Sequence, residues 1–124
     1  MKYFICPLDD VYLGIPTEQT ERVISAPHEQ TVAYEFRNEE TFISIPLLFK
    51  LKEPAAPHGI VLKNKKTVLL TPRIDIDFEI PEDGIHGIPE ALSGLRQYFR
   101  GVYFTDEDVI LILNPEKLTE KHND

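Results

Sequence analysis

The sequence predicts an all-β protein of two small barrels, and three observations carry that prediction. Apolar or alternating runs of about five to eight residues recur along the chain. Clusters of Pro, Gly, Asn, Asp and Glu separate these runs at spacings that suit hairpins. Ten such runs in 124 residues leave little chain for helices.

The first pair of candidate strands, 2–6 and 11–15, flanks the short polar turn Leu8-Asp9-Asp10. A Val-Ile strand over 22–25 follows. The next hairpin joins 31–36 to 41–45 through Arg37-Asn38-Glu39-Glu40, and a third joins 58–63 to 67–71 through Asn64-Lys65-Lys66. Segment 74–80 alternates apolar and acidic residues and reads as a half-buried strand. Strands 99–105 and 109–113 close the series around Thr105-Asp106-Glu107-Asp108. The best helical candidate is 89–98, where Pro89 suits a first turn and Ala91, Leu92, Leu95 and Tyr98 recur at helical spacing, with Gly94 weakening it. A second short helix is expected over 115–120, since Asn114 is a good N-cap and Pro115 then takes the first helical position.

Segment 51–58, with Pro54 and Pro57 around two alanines, is the most loop-like stretch and divides the strands five and five. It is the expected subdomain boundary within one 1–124 domain. Many short antiparallel strands must manage their exposed edges, and closure into small five-stranded barrels packed together does so.

Composition narrows the function. Hydrophobic residues make up 42% and charged residues 27%, enough apolar side chain for a packed core. Against 13 Lys and Arg stand 21 Asp and Glu, and the formal charge of −8 repels nucleic acid and anionic lipid. The single cysteine, Cys6, sits in an apolar run and reads as a buried strand residue. The apolar N-terminal run meets Pro7 and acids too soon for a signal-peptide core, and no stretch reaches transmembrane length. The expected location is the cytoplasm, without membrane insertion.

Residues that could do chemistry do not assemble into motifs. His28, His58, His86 and His122 lack zinc spacing. Period-two alternation puts Asp75, Asp77 and Glu79 on one strand face, a set that could hold Ca²⁺ or serve as an acid/base pair. No glycine-bearing ligand loop accompanies them, so a solvated strand face is the better reading, with a small metal- or ligand-binding β-barrel as the alternative. Ser25, Ser44 and Ser93 lie outside any nucleophile elbow, and no glycine-rich phosphate loop occurs. The expectation is therefore no catalytic, cofactor-binding or metal-binding residue. Lys63, Lys65 and Lys66 read as solvated lysines at a hairpin tip. Arg37, at a strand end beside a turn, either anchors a partner or pairs with Glu35, Glu39 or Glu40. The run Ile45-Pro46-Leu47-Leu48-Phe49 is more apolar than a half-buried strand end requires, which suits either a core between the barrels or a partner patch.

Taken in order, these pieces resemble the CheW-like domain of bacterial chemotaxis over nearly the whole chain. Tyr12-Leu13-Gly14-Ile15-Pro16 is similar to the family's Tyr-x-Ile-Pro strand, and Glu21-Arg22-Val23-Ile24 to the Val-Ile strand that follows it. Glu35-Phe36-Arg37-Asn38 is similar to Asn-Leu-Arg-Gly, and Ile43-Ser44-Ile45-Pro46-Leu47-Leu48-Phe49-Lys50 to Val-Ile-Pro-Val-Ile-Asp-Leu-Arg. The most specific match is Tyr98-Phe99-Arg100-Gly101-Val102 followed by the run from Val109 to Leu118. The chain departs from the pattern at Asn38, where the family has glycine, at Phe49, and at Pro72 near the usual Val-Asp. The resemblance implies two SH3-like barrels and a non-catalytic adaptor without cofactors. It implies as partners the regulatory domain of a histidine kinase and the cytoplasmic region of a chemoreceptor. A divergent accessory module that binds another signalling protein is the alternative. The partner-binding candidates it implies are Arg37, the expected strand through Ile43, Ile45, Leu47 and Phe49, and Val102 and Tyr103 near the groove between the barrels.

Overall fold

The computed structural model describes residues 1–25, 32–50, 58–64, 66–75, 77–90 and 97–122. Ten strands form two five-stranded sheets: β1 (Lys2–Leu8), β2 (Val11–Pro16), β3 (Thr20–Ser25), β4 (Tyr34–Arg37), β5 (Glu40–Ser44), β6 (His58–Leu62), β7 (Thr67–Thr71), β8 (Asp77–Glu79), β9 (Phe99–Phe104) and β10 (Val109–Leu113). Two short helices accompany them, α1 (Ile45–Leu48) and α2 (Pro115–His122). The all-β, two-times-five reading of the sequence holds. Of the helix expected over 89–98, residues 91–96 lie outside the described residues, as does 51–57 of the proline-containing loop.

The chain does not divide at 51–58. Its two compact units are Met1–Glu18 with Asp75–Asp124, and Gln19–Ile74. The first holds the sheet β8-β1-β2-β10-β9 and the second the sheet β3-β6-β7-β5-β4. The physical reason is a parallel pairing of strands far apart in sequence: β10 lies beside β2, with Ile110 opposite Tyr12 and Ile112 opposite Gly14. A loop rich in proline marks a break in local structure, and the partner of a strand is set elsewhere.

In the first unit, Tyr3, Ile5, Ile80, Ile110 and Ile112 form one buried cluster, with Tyr12, Ile85 and Tyr103 packed on it. Alternation explains the choice: Tyr3 and Ile5 in β1, and Ile110 and Ile112 in β10, are two apart and share a face. The stretch after β8 reaches the other edge of this sheet through reciprocal hydrogen bonds between His86 and Val102, each 2.8 Å. Gly101 permits that approach, because a Cβ there would sit 2.5 Å from the His86 carbonyl oxygen. Cys6 is a buried thiol outside any disulfide, as expected of a strand residue.

In the second unit, Val61, Val68 and Leu70 form a buried cluster, with Ile24 and Phe42 against it. β7 is central in its sheet and buried at every position, which fits its unbroken Val-Leu-Leu run. The turns are closed by local side chains. Asn64 Oδ1 accepts from the Lys66 and Thr67 amides at 2.9 and 3.1 Å, an Asx-type closure of the β6–β7 loop. In the first unit, Thr105 Oγ1 accepts from the Asp108 amide at 2.9 Å in the same manner.

Candidate partner-binding site

The hairpin of β4 and β5 is built on a two-residue turn, with Arg37 opposite Glu40. Asn38 and Glu39 between them both have positive φ, 49° and 67°, as a type I′ turn demands. Asparagine tolerates that region and glutamate does not, so Glu39 carries backbone strain. Glu35 and Arg37 are two apart and share a face with Phe42, which pairs with Glu35. The Arg37 guanidinium lies over the Phe42 ring, 4.3 Å from its centroid, and Nε is 3.0 Å from Glu35 Oε1. The latter is a charge contact without in-line hydrogen-bond geometry. Both partners are about one-third exposed, 31% each. Phe36 points to the opposite face and is 66% exposed.

The expected strand through Ile43 to Phe49 is corrected: β5 ends at Ser44, and Ile45–Leu48 is a single helical turn. The cause is legible at the junction. Ser44 Oγ accepts from the Leu47 amide at 3.3 Å, an N-cap, and Pro46 falls in the first turn. Phe49 closes the turn by donating to the Ile45 carbonyl at 3.1 Å, and Lys50 follows at φ 55°. Ile43 and Ile45 are wholly buried, whereas Leu47 and Phe49 are half-buried on the far side of the cap. A partner touching this stretch therefore meets Leu47 and Phe49 and not Ile43 or Ile45.

In the first unit, Val102 is buried, opposite Leu111. Tyr103, its neighbour, is half-buried and lies on the first unit's core cluster. Of the seven candidates, Arg37, Leu47, Phe49 and Tyr103 keep accessible surface, and Ile43, Ile45 and Val102 serve the cores.

Sequence reasoning missed one polar assembly. Arg100 in β9 makes a forked pair with Glu82, Nη1 to Oε2 at 3.1 Å and Nη2 to Oε1 at 3.3 Å, and Nη2 also donates to the Tyr3 hydroxyl. That hydroxyl lies 3.4 Å from Glu82 Oε1. The Arg100 hydrogen bonds hold the Glu82 carboxyl below its ordinary range. Burial raises the Tyr3 phenol, with Arg100 acting against the rise. No spacing rule links residues so distant in sequence, although Arg100 in an apolar strand was a visible irregularity.

Among the described residues, no group of three or more His, Cys, Asp or Glu side chains is gathered to hold a metal ion. Glu79 instead takes the N-terminal amine at 3.0 Å. No described helix is long and apolar enough to cross a membrane.

No family model matches the sequence, and no curated protein matches it. Among solved structures, the chain is similar to the scaffolding protein CheW from Thermoanaerobacter tengcongensis, with a TM-score of 0.71 over 91% of this chain and 88% of that one. The fold is CheW-like. Sequence identity across that CheW-like likeness is 14%, so what the two chains share is the arrangement of strands.

Proposed function

We propose that this chain is a non-catalytic adaptor of chemotaxis-type signalling that couples a chemoreceptor to a histidine kinase by protein–protein binding in the cytoplasm. The observation that supports this most is the CheW-like fold extending over nine-tenths of the chain, with a neighbour that is itself a scaffolding protein. On this reading Arg37 is the anchor. Its guanidinium is held over Phe42 and beside Glu35 at an accessible hairpin, a preorganised cation of the sort that dominates interfaces. Leu47 and Phe49 supply half-buried apolar surface in the same unit, and Tyr103 a second, separate contact.

Calorimetric titration of the purified chain with the regulatory domain of the histidine kinase from its own organism tests the proposal. Binding at about micromolar affinity is expected. Arg37→Ala should weaken it about tenfold or more, with melting changed little because the Glu35 pair is a partly exposed one. A melting drop with unchanged affinity would return Arg37 to a purely structural role. Absence of binding by a folded chain would favour the accessory-module reading, for which the Asn38-Glu39 turn, lacking the family's glycine, is the specific observation.

A further inference from the structure

The parallel pairing of β2 and β10 has a consequence for the surface of the first unit. Both strands start at the same end of the sheet, so the turns leading into them, Asp9-Asp10 and Asp106-Glu107-Asp108, lie at that end together. All five carboxylates are exposed. No Lys or Arg occurs in residues 3–16 or 101–114, and the hairpins' own cations, Lys2 and Arg100, stand towards the opposite ends of their strands from the two turns.

Behind the acidic turns the register lines up an apolar row. Val11 begins β2 alongside the start of β10, Val109 begins β10, and Val109 is opposite Phe104. The two valines are half-buried, and Phe104 is 54% exposed. Its ring leans on that of His86, itself exposed, with centroids 5.8 Å apart and planes at 52°. An aromatic ring left in water beside two valines forgoes burial worth about 25 cal/mol per Å² until something covers it.

We propose that this end of the first unit is a docking surface for a basic amphipathic segment of a partner protein. Apolar side chains of the segment cover Phe104 and Val109, and its Lys or Arg residues meet the two acidic turns. The charge selects the occupant. Five clustered carboxylates repel nucleic acid, anionic lipid and the identical end of a second copy, and attract a cationic peptide. The inference goes beyond the coupling proposal, because the surface belongs to the unit that does not contain Arg37.

The full chain, isotopically labelled, would be titrated by NMR at low salt with a synthetic peptide alternating Lys and Leu. Glu-Leu and Lys-Ser counterparts and anionic phospholipid vesicles serve as controls. Amide shifts centred on Val11 and on 104–109 are expected, with affinity falling as salt rises. Phe104→Ser should weaken binding about tenfold, and so should Asp106→Asn combined with Glu107→Gln, whose positions are exposed and leave folding intact. Shifts centred elsewhere, unchanged affinity in the charge-neutralised variant, or equal binding of the Glu-Leu peptide or the vesicles would overturn the proposal. A Phe104-dependent dimer in sedimentation without peptide would overturn it too, by giving the row to a second copy. Kinase-domain binding that depends on Arg37 and survives Phe104→Ser separates this surface from the coupling reading.

Discussion

The second unit is one continuous stretch of chain, Gln19–Ile74, whereas the first is assembled from Met1–Glu18 and Asp75–Asp124. Their polar contacts differ in the same sense. Among the described residues of the second unit the side-chain contacts named above are local: Ser44 caps the turn it precedes, Asn64 closes its own loop, and Arg37 pairs two residues away with Glu35. The first unit has a local closure too, at Thr105, and adds contacts between its two chain segments, from the N-terminal amine to Glu79 and from Tyr3 to Arg100 and Glu82. Bringing distant segments together costs loop-closure entropy before any contact is gained, and local closures do not carry that cost. The lesson is that a unit made from two chain ends carries specific polar contacts across the seam, where register has to be fixed.

The largest test of that contrast truncates each core. Ile112→Ala in the first unit and Leu69→Ala in the second remove wholly buried side chains, and each should cost about 2–5 kcal/mol in denaturant unfolding. If the first unit depends on its seam, Ile112→Ala also slows refolding more than Leu69→Ala does, as stopped-flow kinetics would show.

Two glycines sharpen the comparison at the next level. A methyl at Gly101 meets the His86 backbone oxygen at 2.5 Å, while one at Gly59 meets the Val68 side chain at 2.9 Å and that of Ile24 at 3.0 Å. Side chains yield and a hydrogen-bonded backbone does not, so Gly101→Ala should destabilise by about 1–3 kcal/mol and Gly59→Ala by less, read from thermal melts.

A smaller effect isolates the Tyr3 contact. The Tyr3 phenol is raised above its ordinary value of 10.0 by burial. Its contribution is therefore fully present below pH 10.0 and is lost as pH rises through the higher folded-state value. Tyr3→Phe should lower stability by about 0.5–1.5 kcal/mol near neutrality and flatten the alkaline decline measured by melting against pH. Glu82 works in the opposite direction. Its carboxyl is lowered, so its contribution is present above the ordinary carboxylate range and fades as acid protonates it, and Glu82→Gln should blunt the acid limb.

The smallest expected effect is a gain. Glu39→Gly relieves the left-handed glutamate and completes an Asn-Gly type I′ pair, raising stability by about 1 kcal/mol or less without changing the hairpin register. A loss on this substitution would mean that the Glu39 side chain makes a contact worth more than its strain.

Much of the molecule can be read from local chemistry. Every one of the ten expected strands has a counterpart, because period-two alternation and turn residues act over a few positions and need no knowledge of partners. The one-turn helix after Ser44 was written in the N-cap serine and Pro46, but the apolar run from Ile45 to Phe49 masked it as a strand. The site was legible in part. Arg37 stands out as a cation at a strand end, yet its seat over Phe42 follows from the β4–β5 register, and the burial of Ile43, Ile45 and Val102 depends on what packs against them.

The sequence by itself determined the strands, the polar turns between them, the helix after Asn114, the excess of negative charge and the resemblance that suggested the fold. Tertiary structure alone decided which strands are neighbours. It took β10 to β2 and so divided the chain at Glu18 and Ile74, joined Tyr3 to Arg100 and Glu82, and set two acidic turns around Phe104. The physical reason is one of range: alternation and turn propensity are settled by adjacent residues, whereas strand pairing is a choice among distant surfaces that only the complete packed chain can rank.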